Sequence, residues 1–151
     1  MANSQAMCTS FKGELLTATH NFGTAPIRAA STADTFKGAL YLASATVNAS
    51  TTAYSSTGEV TGTNYTAGGV NVTNATAPTT SGTTAYWTPS ASLVYTNVTL
   101  TTAFDSVLIY NSTQSNKAVS VHTFGSQTVT AGTFTLTMPT NDSTNALIRL
   151  A

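Results

Sequence analysis

The chain has 151 residues, enough for one domain with a sizeable core. Only 7% of them are charged, against about 25% in an ordinary soluble domain, and five basic residues balance five acidic ones to a formal net charge of zero. Lys12, Arg28, Lys37, Lys117 and Arg149 stand apart from one another, which excludes the clustered cations of a nucleic-acid binder or a polybasic membrane patch, so neither nucleic acid nor membrane is expected as a partner.

The first predicted element is a short N-terminal helix, because Met7, Phe11, Leu15, Ala18 and Phe22 recur at helical spacing and would share one face. Ser4 is its candidate cap, and Asn21 with Gly23 its candidate end. After Gly23 the texture turns to β-branched residues, period-two alternation and frequent turn signals. The chain therefore divides into a helix or arm over 1–22 and a β-sandwich over 23–151, one domain overall. DTFKGALYLAS predicts a half-buried strand around Phe36, Leu40 and Leu42. Further strands are expected at Ala45–Ala53, Gly69–Ala75, Ser92–Leu100, Phe104–Tyr110, Ala118–Phe124, Gln127–Thr130, Thr133–Met138 and Ala146–Leu150.

Two hairpins are predicted. In VLIYNSTQSNKAVSVHTF the polar run Asn111 to Asn116 separates two apolar runs, and in SQTVTAGTFTLTMP the pair Ala131-Gly132 is read as a turn, with Pro139 ending the strand. Between Ser55 and Pro89, glycines and prolines among Thr and Tyr suggest long loops bracketing one strand. Many short strands with no helices between them predict an all-β, antiparallel β-sandwich, jelly-roll-like, with a short N-terminal helix. Aromatic residues on loops are common interface anchors, so Tyr65, Tyr86 and Trp87 join Met7, Phe11 and Leu15 as candidate partner contacts. For Trp87 a core position is the preferred alternative, and for the N-terminal segment packing on its own sheet.

The residues of chemistry are scarce. Cys8 is the single cysteine, so no intrachain disulfide forms, and His20 and His122 are the only histidines. None of these has metal-ligand spacing, no Gly-x-Ser-x-Gly elbow occurs, and no catalytic residue, metal or cofactor is expected. Among the carboxylates Glu14, Asp34, Glu59, Asp105 and Asp142, a glycosidase pair would need two some 5–10 Å apart. Asp34 and Asp142 lie in turn contexts and are read as turn caps. Glu59 is read as either a buried, paired carboxylate or a loop contact. Thirty-three threonines carry the surface instead of charge, and such neutrality favours association, so the expectation is a protein that works inside an assembly. The N-terminus lacks the charged and apolar regions of a cleaved signal, and the Asn-X-Ser/Thr triplets starting at Asn48, Asn64, Asn71, Asn74, Asn97, Asn111 and Asn141 are discounted as chance in so Thr-rich a chain.

The runs MCTSFKGELLTATHNF, ADTFKGALYLASATVNASTTAYSSTGEVTGTNYTAGG and LIYNSTQSNKAVSVHTFGSQTVTAGTFTLTMPT resemble a family of small virion proteins of tailed bacteriophages, over most of the chain. The resemblance implies a structural protein of the particle, made in the host bacterial cytoplasm, with no enzyme activity. Within the particle the expectation is a capsid decoration or cement protein that binds across subunits of the major capsid protein and forms a homo-oligomer in the assembly. The alternative is a tail, neck or fibre-attachment component. A carbohydrate-binding module, with exposed Tyr and Trp stacking on sugars, is a further possibility from the aromatic loops alone.

Overall fold

The structure, a computed structural model, describes residues 3–16, 19–20, 22, 33–73 and 77–151. It is nearly all β, with antiparallel sheets and one short helix, as the sequence predicts. The elements are β1 (Ala6–Met7), α1 (Thr9–Leu16), β2 (Phe36–Leu42), β3 (Val70–Asn71), β4 (Thr79–Ser81), β5 (Thr84–Trp87), β6 (Leu93–Asn111), β7 (Lys117–Leu136) and β8 (Ile148–Leu150). One sheet runs β1-β7-β6-β2-β3 and the other β4-β5-β8. These orders do not show a jelly-roll connectivity.

The framework is one ribbon. β6 and β7 pair from Asn111↔Lys117 at the turn to Leu93↔Leu136 at the far end. The turn is the predicted one: Asn111 Oδ1 accepts the N–H groups of Thr113 and Gln114, and Ser115 and Asn116 take positive φ, as Asn tolerates. The strands expected at Ser92–Leu100 and Phe104–Tyr110 are one strand of 19 residues, and the three expected from Ala118 to Met138 are one strand of 20. The ladder shifts once near the turn, between Ile109 and Tyr110, and repeatedly between Tyr95 and Ser106. Such bulges bend a ribbon and raise its twist. The bend brings the far half back across β2. Tyr95 donates its hydroxyl proton to the Gly38 carbonyl at 2.8 Å, and a Cβ on Gly38 would meet Leu93 Cδ1 at 2.5 Å. Both faces of β2 are thereby covered, and all its residues but Lys37 and Leu42 are buried rather than the strand being half-buried as predicted.

Ala131-Gly132 is not a hairpin turn. Ala131 has φ +46° and sits within β7, where the register slips between Val98↔Gly132 and Leu100↔Val129. A short, glycine-containing pair serves a bulge as readily as a turn, and composition does not separate the two. Ala45–Ala53 forms turns and bends with one isolated bridge, Ala53↔Lys117, instead of a strand. The Ser55–Pro89 region holds three short strands, β3, β4 and β5, where one is predicted. The strand expected over Gly69–Ala75 is confined, among the described residues, to β3.

The N-terminal segment belongs to the core. β1 adds to β7 through Ala6↔Val121 and Met7↔Ser120, and the Cys8 and Thr9 N–H groups donate to the carbonyls of Val119 and Ala49. These bonds hold the chain extended through residue 8, so the helix starts at Thr9 rather than after Ser4, and Met7 lies in a strand. Phe11 has no exposed surface. It meets Phe22 edge-on at 5.8 Å; Phe22 stacks on Phe36 at 4.5 Å and lies 4.8 Å from Trp87. This aromatic chain ties α1, β2 and the three-stranded sheet into one core, worth roughly 2–3 kcal/mol per fully buried ring. The predicted helix end at Asn21 and Gly23, and Ala18, lie outside the described residues.

Candidate functional site

The most organised polar group in the molecule surrounds Glu59. The chain runs antiparallel beside β2 here, with a bridge Tyr41↔Glu59, the Leu42 N–H donating to Gly58 O and the Val60 N–H to Leu40 O. That path carries the carboxylate inward, where it is 6% exposed. Glu59 Oε2 accepts the Tyr54 hydroxyl at 2.6 Å; Oε1 accepts the Tyr65 hydroxyl at 2.8 Å and the Gly68 N–H at 2.7 Å. Tyr65 in turn accepts the Leu40 N–H at 3.0 Å. Tyr110 donates to Gly68 O, Tyr41 to Ser55 O, and Tyr54 stacks on Tyr110 and Tyr65 on Tyr95. Five of the six tyrosines thus face one acidic loop.

Gly68 and Gly69, with φ of +88° and +72°, make the tight return this site needs. A Cβ on Gly69 would lie 1.7 Å from the Gly38 carbonyl oxygen. Burial, helped by the nearby Glu59 charge, pushes the hydroxyls of Tyr41 and Tyr110 up to about 12, and it raises those of Tyr54, Tyr65 and Tyr95 as well. These phenols are proton donors locked onto acceptors. The arrangement cross-links loop 54–69 to the two strands β2 and β6, and it leaves Glu59 enclosed rather than facing a cleft.

A second buried knot joins the N-terminal segment to the hairpin turn. Asn111 Nδ2 donates to Asp34 Oδ2 at 2.7 Å and lies 3.0 Å from His20 Nδ1, while Gln114 Nε2 donates to Asp34 Oδ1 at 3.3 Å. Among the described residues Asp34 binds the side chain of a residue 77 positions away, a tie its turn context does not suggest. Asp142 is such a cap, its Oδ1 accepting the Thr144 and Asn145 N–H groups, and the Asn145 amide leads the bonds that hold its carboxyl well below the usual range. Asp105 accepts the Asn3 amide at 2.7 Å.

A third group pairs His122 Nε2 with Ser120 Oγ at 2.9 Å beside a cleft of about 320 Å³ that also meets Gln5, Met138 and Asn145. Burial lowers the His122 imidazole to about 4. Ser120 is 3% exposed, so the pair reads as an internal tie. Among the described residues no three His, Cys, Asp or Glu side chains converge to hold a metal ion.

Of the candidate partner contacts, Phe11 and Trp87 are 0% and 2% exposed and are spent on the domain's own core. Met7 is partly buried against the same core. Tyr65 is partly buried with its hydroxyl turned inward to Glu59. Leu15 and Tyr86 keep partial exposure and line a small apolar groove of about 140 Å³ with Pro78, Ile148 and Leu150. The tyrosine ring was invisible to sequence reasoning except through one odd signal, a carboxylate in a nearly charge-free chain nine residues before a Gly-Gly pair.

The outward surface is of another kind. On the far half of the ribbon Thr96, Thr101, Thr102, Thr128, Thr130, Thr133 and Thr135 are exposed, and no Lys, Arg, Asp or Glu occurs in β6 before Asp105 or in β7 after Lys117. Comparison with family models, with curated protein sequences and with solved structures finds no match.

Proposed function

We propose that the chain is a non-enzymatic structural protein of a tailed-phage particle, a decoration or cement protein that stabilises the head by binding across capsid subunits. The observation that carries this reading is the division of labour between inside and outside. Glu59, Asp34, Asp105, His20 and His122 all bond within the domain, whereas the long ribbon presents a neutral hydroxyl face. A neutral surface of this kind suits crowding against like neighbours, where a single-sign field would repel. The resemblance to small virion proteins supplies the particle. Copy number tests it: in purified particles of the phage that encodes the chain, quantitative mass spectrometry should find it near the molar amount of the major capsid protein. A few to a few dozen copies would move it to tail, neck or fibres, and absence from the particle would overturn both.

A further inference from the structure

We propose that the outer edge of β7 from Gln127 to Leu136 is a strand-pairing surface, and that its partner is the same edge of a second copy of this chain. The inference names a partner surface and does not require the particle reading.

β7 has two sides. Its inner side pairs with β6 along the whole ribbon, but its outer side is met only near the turn, by the Thr52–Ala53 segment at Lys117 and Ala118 and by Ala6 to Cys8 at Val119 to Val121. Among the described residues no strand pairs with that side beyond Val121. A bare edge presents a row of unpaired N–H and C=O groups, and folded proteins blunt such edges with lysine, proline, bulges or covering segments. From Thr123 to Leu136 there is no charged residue and no proline, and seven of the ten residues between Gln127 and Leu136 split between exposed threonines and inward apolar groups. Between Gln127 and Leu136 the register shift that places an extra residue on β7 itself is the bulge at Ala131; the irregularity between Thr123 and Gln127 lies before this stretch.

That bulge does not spoil the edge for pairing, because it preserves the facing of the side chains. Thr128 and Thr130 are exposed while Val129 is half-buried; after the extra residue, Thr133 and Thr135 are exposed while Phe134 and Leu136 are half-buried. The extra residue shifts the parity of the strand by one and so keeps all four threonines on the same side. The edge is thus two short ladders, Gln127–Thr130 and Thr133–Leu136, each about 13 Å long.

A second copy fits this edge better than a partner of different chemistry. Antiparallel pairing about a two-fold axis sets the run against itself, so threonine meets neutral residues, apolar meets apolar, and no like charges are opposed. The formal net charge of zero removes long-range repulsion between copies. The edge carries no charge with which to select a charged partner.

The test uses the full chain in solution. Sedimentation velocity across a concentration series should show a monomer–dimer equilibrium, and amide exchange over 127–136 should slow as concentration rises. Thr130→Lys with Thr133→Lys places two cations per copy at the centre of the joined edge and should weaken the dimer by about tenfold or more. Thr101→Lys with Thr102→Lys adds the same charge on the neighbouring strand β6 and should leave the dimer within about twofold of the parent. Near-ultraviolet circular dichroism confirms that both variants fold. A chain that stays monomeric throughout, a dimer whose 127–136 amides exchange as in the monomer, or a dimer equally weakened by both lysine pairs overturns the proposal. The wild-type exchange measurement decides the matter even where a variant misfolds.

Discussion

Glu59 is the residue on which the interior depends most, because three donors converge on it and each would be stranded without it. A buried donor left unpaired costs about 1–3 kcal/mol, so Glu59→Ala is expected to lower unfolding stability by about 3 kcal/mol or more, read from a denaturant midpoint. Loss of less than about 1 kcal/mol would mean the carboxylate is not holding the loop. His122 gives a second residue-level expectation, in acid. Its imidazole is lowered to about 4 in the folded chain from an ordinary value of 6.5. Below 6.5 the unfolded chain takes up a proton that the folded one refuses, so this contribution is full above 6.5 and is lost as pH falls toward 4. The urea midpoint should fall over that window, and His122→Gln should flatten that part of the profile.

Among the elements, α1 decides whether the N-terminus is an arm or a wall. The spacing from Met7 to Phe22 signalled an apolar stripe but could not say what it would face. The answer lies in Phe36 and Trp87, which are remote in sequence. Phe11→Ala should cost about 3–5 kcal/mol, the range for a ring removed from a tight core. Removal of residues 1–22 should abolish the cooperative thermal transition rather than leave a folded sandwich. A truncated chain with native near-ultraviolet dichroism would restore the arm. The hairpin at Asn111–Asn116 was legible because polar turn formers interrupt two alternating runs. The bulge at Ala131 was not, since a turn and a bulge ask for the same residues and only the partner strand distinguishes them. β4 and β5 escaped notice because segments of three and four residues are too short to carry alternation.

At the scale of the molecule, the all-β class was readable from texture, whereas the folding of one long ribbon over β2 was not, for it rests on contacts between Gly38, Leu93 and Tyr95. The tyrosine ring is of the same kind, assembled from positions 41 to 110. Its consequence is global. All five phenols are raised above the ordinary value of 10, by burial foremost. Stability is therefore fully present below pH 10 and falls as pH rises toward 12, because the unfolded chain releases protons that the folded one retains. Tyrosinate absorbance should appear together with loss of near-ultraviolet dichroism, in one step. Free titration of these tyrosines near pH 10 in a chain that stays folded would contradict the buried ring.

Cys8 lies at the joint between β1 and α1, fully enclosed, as the chain's single thiol. A thiol reagent can reach it only when that joint opens, so the chain carries its own stopwatch for the peeling of its first strand. Labelling should be slow at neutral pH and should quicken in Phe11→Ala, which loosens the joint, more than in Glu59→Ala, which loosens the far loop. Equal acceleration by both would mean that the thiol is reached only through unfolding of the whole molecule.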